Sequence, residues 1–180
     1  MRTSKRTEIL EAATRVVERE GIKSLTYDSV AAEAGLTKGG LLYHFASRED
    51  LVVAVHQHLA ALWESGMVES AGKPVGDTSP EERHAAYARV NTDGASRAEL
   101  LFIIESSTTP EHAAPWDSVM ERWAPPTPPS TAGAAELDRF IARLAADGLW
   151  MFESLTSERL DPKLRRAVAE RLAEKIELSE

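Results

Sequence analysis

Thr26-Tyr27-Asp28-Ser29-Val30-Ala31-Ala32-Glu33-Ala34-Gly35-Leu36-Thr37-Lys38-Gly39-Gly40-Leu41-Leu42-Tyr43-His44-Phe45-Ala46-Ser47-Arg48-Glu49-Asp50-Leu51 is the stretch that decides the fold. Thr26 reads as the N-cap of a short helix through Val30, Ala31 and Ala34 that stops at Gly35, and Thr37 as the cap of a second over residues 38–45. A threonine hydroxyl satisfies a backbone N–H that the first helical turn leaves without a partner, and glycine ends a helix by taking a left-handed backbone. Two short helices joined by a tight glycine-containing turn make a helix-turn-helix, whose second helix can enter a DNA major groove about 12 Å wide. Gly39 and Gly40 sharpen the reading. Each costs a helix on the order of 1 kcal/mol against Ala, yet lets the backbone approach another molecule closely. Around them stand groups suited to phosphates and base edges: the Thr26 and Thr37 hydroxyls, the Lys38 ammonium, the Tyr43 hydroxyl, His44 and Arg48. Val30, Ala34, Leu36, Leu41 and Phe45 are expected to form the small core beneath. Taken singly, Tyr43 and His44 read as a packed aromatic and a capping imidazole; beside Lys38 and the glycines they read as contacts.

Outward from this block the helical period continues, and no convincing strand alternation appears, so the expected class is all-α. A helix over about residues 4–20 carries Ile9, Ala13, Val16 and Val17 on one stripe and stops at Gly21. Ser47 and Asp50 form a capping box that opens a long helix, residues 47–70, through Leu51, Val55, Leu59 and Leu62. A loop over 72–77 precedes Ser79-Pro80-Glu81-Glu82, a helix start with Pro at the first position. Beyond the turn Asn91-Thr92-Asp93-Gly94, a helix over 96–107 centred on Leu100-Leu101-Phe102-Ile103-Ile104 is apolar enough to be largely buried. An amphipathic stretch over 111–123 ends in Pro125-Pro126-Thr127-Pro128-Pro129, an extended surface spacer. In the helix over 134–155, Leu137, Ile141, Leu144, Gly148, Met151 and Leu155 recur at spacings of four and three, with Phe140, Leu149 and Phe152 as a second apolar flank. Asp161-Pro162 opens the last helix, which carries Leu164, Val168, Leu172 and Ile176. Surplus apolar surface on these two helices predicts a dimer interface built from Leu137, Ile141, Leu144, Gly148, Met151, Leu155, Leu164, Val168 and Leu172.

The 180 residues, 43% hydrophobic and 28% charged, fit one domain or two small ones sharing a core. The spacing of elements puts a reading domain over 1–50, continued by the long linking helix, and a second domain over 51–180. A formal charge of −8 argues, taken whole, against a polyanion partner. Its distribution reverses the argument: residues 1–50 hold eight basic and eight acidic groups, and the entire acidic excess lies beyond them. That leaves Lys38, Arg48 and the Arg2-Thr3-Ser4-Lys5-Arg6 arm available at one end. With no cysteine, disulfides, thiolate metal sites and cysteine nucleophiles are excluded. No apolar run approaches the roughly 20 residues of a spanning helix, and Met1 to Arg6 lead into no signal core, so a cytoplasmic protein without membrane contact is expected.

All four Trp residues lie outside residues 1–50. Trp63, Met67, Phe102, Glu105, Ser106, Trp116, Met120 and Trp150 are candidates to line a partly apolar cavity for a small molecule, with Asp147 as a further polar group. Each alone reads more readily as core. His56 and His58 are two apart and point to different sides of a helix, while His84 and His112 lack a nearby carboxylate at ligand spacing, so no metal and no cofactor are expected. No catalytic motif appears, and an enzyme is not expected.

The first helix, Leu25-Thr26 and the block through Gly39-Gly40-Leu41-Leu42-Tyr43-His44-Phe45-Ala46-Ser47-Arg48-Glu49-Asp50-Leu51 resemble, over about residues 5–60, the DNA-binding domain of the TetR-type, tetracycline-repressor-like transcriptional regulators. The resemblance implies a three-helix reading head and a C-terminal helical core that binds a small-molecule inducer and dimerises through its last two helices. It further implies a homodimer on a double-stranded palindromic operator, in most members a repressor released by the inducer. Thr26, Thr37, Lys38, Gly39, Gly40, Tyr43, His44 and Arg48 take the DNA-contact positions. One departure is Leu42, where many members carry a second Tyr. In the second half the likeness rests on helix layout and on Ala145-Ala146-Asp147-Gly148-Leu149-Trp150. The alternative is a helical small-molecule-binding or scaffolding protein without sequence-specific DNA binding, which predicts stoichiometric ligand binding and no selective DNA shift.

Overall fold

The computed structural model describes residues 4–92, 96–156 and 158–177, and the described residues are helical throughout apart from turns and connections. Arg2 and Thr3 of the arm, and Asp93 and Gly94 of the expected turn, lie outside them. The helices are α1 (Lys5–Glu20), α2 (Tyr27–Ala34), α3 (Lys38–His44), α4 (Arg48–Ala71), α5 (Pro80–Thr92), α6 (Arg97–Ser106), α7 (Pro110–Trp123), α8 (Ala134–Leu155) and α9 (Pro162–Glu177). They fall into two compact units. The first takes the chain up to Ala61 together with Ser96–Trp116, and the second takes Leu62 to residue 92 and the chain from Asp117 onward.

In the first unit, local chemistry sets each boundary. Ser4 accepts from the Thr7 N–H at the start of α1, and Gly21 (φ 86°) ends it. Thr26 and Ser29 form a reciprocal capping box on α2, which closes at Gly35 in the left-handed region. The Thr37 hydroxyl accepts from the Gly40 N–H at α3. Ser47 and Asp50 exchange side-chain and backbone bonds of 2.9 and 3.0 Å ahead of α4. The helices close over Ile9, Ala13, Val16, Val17, Leu25, Val30, Leu41, Phe45, Leu51 and Val55, all buried. At about 1.5–3 kcal/mol per fully buried large side chain, this cluster outweighs the helix-propensity cost of Gly39 and Gly40. Leu36 and Ala34, expected in the same core, are only half-buried. Glu33 on α2 binds Arg15 and Arg19 of α1 at 2.8 and 3.1 Å, fixing those helices at their angle.

The sequence boundary at residue 50 does not coincide with these compact units. The reason lies in α6, which packs on α1 and whose Ala98 N–H donates to the Glu18 carboxylate at 2.7 Å, so that 96–116 belongs with the N-terminal helices. The expectation that α6 is largely buried holds for Leu100 and Phe102 but not for Ile104, which is exposed.

The second unit is built on α5, α8 and α9, which pack pairwise. Small residues set the spacing: Ala88, Ala142 and Ala146 meet Ile176, with Leu172 against them. Asp147 on α8 accepts from the Tyr87 hydroxyl at 2.7 Å and from Asn91 Nδ2 at 3.0 Å, and Trp63 Nε1 donates to Asn91 at 2.9 Å. Glu64 on α4 takes a two-point contact from Arg122 at 2.8 and 2.7 Å and a third bond from Trp123 Nε1.

Candidate functional site

The outer side of α3 is shaped by what the core leaves over. Leu41 is buried, so its sequence neighbours one and two places on turn outward: Leu42 is 43% and Tyr43 87% exposed. The Tyr43 ring touches His44 edge-on, with centroids 5.3 Å apart. Lys38 is exposed and pairs with Asp28 of α2 at 3.2 Å, a partner the sequence reading did not identify. A solvated pair of this kind contributes little to stability and can be exchanged for a phosphate. At Gly39 an added Cβ would meet nothing within 4 Å, so nothing inside the protein requires glycine there. At Gly40 it would come within 3.4 Å of the Thr37 hydroxyl oxygen.

The remaining expected contacts are partly engaged. Thr26 and Thr37 are exposed but use their hydroxyl oxygens as caps. Arg48 donates Nε to the Leu25 carbonyl at 3.0 Å, which ties the start of α4 to the turn before α2. In the arm, Lys5 pairs with Glu8 at 2.6 Å and the Arg6 guanidinium lies 4.9 Å from the Phe45 ring centre. Lys5 and Arg6 therefore have intramolecular partners, unlike the freely available arm the sequence suggested.

The eight residues singled out for a cavity divide evenly between the units. Phe102, Glu105, Ser106 and Trp116 lie in the first, and Trp63, Met67, Met120 and Trp150 in the second. Phe102 and Met67 are fully buried core. Met120 alone of the eight lines an open recess of about 410 Å³ in the second unit, with Asp117, Glu121, Ala124, Pro126 and Arg143. Asp147 is committed to Tyr87 and Asn91; burial, with that carboxylate adding to it, pushes the Tyr87 hydroxyl well above its ordinary pKa.

On α8, Leu137, Ile141, Leu144, Met151 and Leu155 are exposed while Ala142 and Ala146 face the unit's own core. Gly148 is exposed, and a Cβ there would meet nothing. On α9, Leu164 is exposed and Val168 half-buried; Leu172, expected in the same seam, packs on the internal alanine cluster, because Ala169, Ala173 and Ile176 turn that side of α9 inward.

One cluster escaped the sequence reading. His56 on α4, Glu105 on α6 and His112 on α7 bring one ligating atom each within 4.8 Å of one another. His56 Nε2 lies 2.9 Å from Glu105 Oε2, and His112 Nδ1 lies 2.9 Å from that same oxygen. Both histidines are buried. Trp116 Nε1 donates to His56 Nδ1 at 3.0 Å, and His112 Nε2 meets the Glu49 carboxylate. Burial holds His56 below the usual histidine pKa against the pull of Glu105. No local spacing could reveal this group, since His56 and His112 meet only through packing; the reading that His56 and His58 diverge is compatible with it.

Residues 9–55 match the family described as bacterial regulatory proteins, tetR family, and residues 81–177 match the tetracyclin repressor-like C-terminal domain. The HTH-type transcriptional regulator TtgR of Pseudomonas putida is 36% identical over 67 residues, 33% of this chain and 32% of TtgR. The HTH-type transcriptional regulator BetI of Brucella canis is 31% identical over 99 residues, 55% of this chain and 48% of BetI, so these matches span about a third to a half of the relatives' length. The crystal structure of the multidrug binding protein EbrR complexed with imidazole superposes with a TM-score of 0.56 at 25% identity, covering 95% of this chain and 96% of EbrR. A match to the N-terminal helices and a second over more than half of the sequence, on a helical fold whose α2 and α3 form a helix-turn-helix, establish that this chain belongs to the tetR family of bacterial regulatory proteins.

Proposed function

We propose that the chain is a ligand-responsive, DNA-binding transcriptional regulator that acts as a homodimer on a palindromic operator, most simply as a repressor. The observation that carries this is the outer side of α3, where Leu42 and the 87% exposed Tyr43 stand beside Lys38 and a glycine with no internal reason to be one. Exposed aromatic and aliphatic side chains on a short helix cost solubility without stabilising the unit, and a groove gives them a partner. Tyr43 and Lys38 reach phosphate oxygens, Gly39 admits the sugar–phosphate backbone, and Thr26, Thr37, Gly40, His44 and Arg48 border the same approach. In a two-fold dimer each α3 enters one half-site, with half-site centres about 34–36 Å apart or a multiple of it. The exposed stripe on α8, continued by Leu164 on α9, is the proposed seam.

The inducer is a small, partly apolar molecule, a reading supported by EbrR, whose structure holds imidazole, and by the recess beside Met120. It acts by differential affinity: a ligand that prefers an arrangement of reading heads with the wrong separation lowers operator affinity by the same factor as operator lowers its own. The chain carries out no catalysis in this reading and works in the cytoplasm, where its operator is. Among the described residues no helix is long and apolar enough to cross a membrane.

The test is an electrophoretic shift with DNA flanking the chain's own coding region. A salt-sensitive complex of dimer stoichiometry is expected, and Lys38→Ala combined with Tyr43→Ala should weaken it at least a hundredfold with unchanged helical content. Stoichiometric small-molecule binding without any selective shift would instead establish the scaffolding alternative.

A further inference from the structure

His56, Glu105 and His112 come from three helices of the first unit, separated by 49 and 7 residues along the chain, yet they converge on one point. Interiors rarely bring two imidazoles and a carboxylate together, because each polar group gives up water and must find a partner. Here Glu105 Oε2 serves both rings at 2.9 Å. One carboxylate oxygen facing two ring nitrogens at once is an arrangement in which a single cation can take the place of two hydrogen bonds.

We propose that His56 Nε2, His112 Nδ1 and the Glu105 carboxylate form a binding site for a divalent transition-metal ion of the zinc class. Two imidazoles and one carboxylate suit borderline ions such as zinc or nickel, whereas magnesium and calcium ask for oxygen ligands. Ligand bonds of about 2.0–2.2 Å place ligand atoms somewhat over 3 Å apart around a tetrahedral centre, so the two 2.9 Å separations to Glu105 open slightly while the two ring nitrogens, which with Glu105 lie within 4.8 Å of one another, draw together. The surroundings of His112 fit a ligand. Its far nitrogen, Nε2, faces Glu49, the carboxylate–histidine–metal arrangement that fixes the ring and turns the Nδ1 lone pair toward the ion. The site does not rest on the DNA-binding reading.

His56 sets the condition for binding. Trp116 Nε1 can only donate, so His56 Nδ1 accepts from it and the ring proton resides on Nε2. Ligation through Nε2 moves the proton to Nδ1, where it faces the indole N–H. The two imidazoles are also stacked, with centroids 4.7 Å apart and planes at 20°, so one ring must turn about its soft terminal torsion before both lone pairs meet one ion. Ion binding is thus tied to release of the Trp116 indole, and Trp116 opposes it.

The experiment uses the untagged full chain, stripped with EDTA and titrated with zinc chloride, nickel chloride and magnesium chloride by calorimetry, with tryptophan fluorescence in parallel. One zinc per chain with Kd in the micromolar range or tighter, a tryptophan emission change and no magnesium signal are expected. Glu105→Gln and His112→Gln should each weaken zinc binding at least a hundredfold, Glu49→Gln about tenfold, and His58→Gln should leave it unchanged. Trp116→Phe should bind zinc as tightly or more tightly while losing the emission change, a readout that does not depend on the ligand variants folding. Zinc binding weaker than 100 µM in the parent chain overturns the site and leaves the cluster a buried hydrogen-bonded network. Tight binding that survives both ligand substitutions, or that Trp116→Phe weakens, overturns it as well.

Discussion

Gly39 lies in the first turn of α3, where a Cβ would meet nothing within 4 Å, and its backbone is not in the left-handed region. Inside the free protein an alanine there is favoured by helix propensity and by the smaller entropy of its unfolded chain, together about 0.5–1 kcal/mol. A methyl group on that side would, however, stand between the helix and a phosphate backbone approaching Lys38 and Tyr43. Gly39→Ala should therefore separate stability from function. Urea unfolding is expected to show the variant more stable by up to about 1 kcal/mol, while its operator affinity falls at least tenfold. An alanine variant that binds the operator as well as the parent chain would remove the close-approach argument for this residue. Gly40 offers no such separation, because there a Cβ presses at 3.4 Å on the capping hydroxyl of Thr37.

Among the elements, α5 carries a titratable group that the connection between α7 and α8 helps to bury. His84, together with Glu81, Glu136 and Arg139, lines a recess walled by Pro125, Pro126, Thr127, Pro128 and Pro129. Burial, with Arg83 adding to it, pushes the imidazole down to about 4, and its Nδ1 has no hydrogen-bond partner. The unfolded chain then takes up this proton near pH 6.5 and the folded chain only near pH 4, so between those values the unfolded state holds more protons. The stabilisation is complete above pH 6.5 and is lost as the pH falls toward 4. Discounted for partial exposure, the loss between pH 7 and pH 5 is about 1 kcal/mol. Thermal melts at the two pH values should show His84→Gln with a correspondingly smaller decline than the parent chain; an equal decline would place the acid sensitivity elsewhere. Such effects also mark what a sequence can carry. The starts of α2, α3 and α4 were legible because Thr26, Thr37 and the Ser47–Asp50 pair cap those helices through partners three residues away. The outward turn of Tyr43 was legible for the same reason, through the helical period. The desolvation of His84 and the convergence of His56 with His112 depend on residues tens of positions distant, and no local spacing encodes them.

At the scale of the molecule, charge and apolar surface are distributed unequally. The acidic excess lies beyond residue 50, in the same stretch of chain as an α8 whose outward side is aliphatic: Leu137, Ile141, Leu144, Met151 and Leu155. A solvated helix would hold polar residues on that side, and α8 already satisfies its own unit through Ala142 and Ala146. A second copy of the chain related by a two-fold axis offers an identical stripe, and the exposed Gly148, within it, allows two such helices to approach closely. Leu144 is 54% exposed and central, so burying it in the seam contributes about 1–2 kcal/mol per copy, doubled by the symmetry. A glutamate in its place would bring two like charges together in an apolar seam, a cost of several kcal/mol. Sedimentation at micromolar concentration is expected to give a dimer for the parent chain and a monomer for Leu144→Glu, with unchanged circular dichroism because the side chain is not part of the internal core. The monomeric variant should also lose the operator shift, since one α3 alone makes half the contacts. A dimer of unchanged mass in Leu144→Glu would assign the seam to another surface and leave the stripe on α8 without a role in assembly.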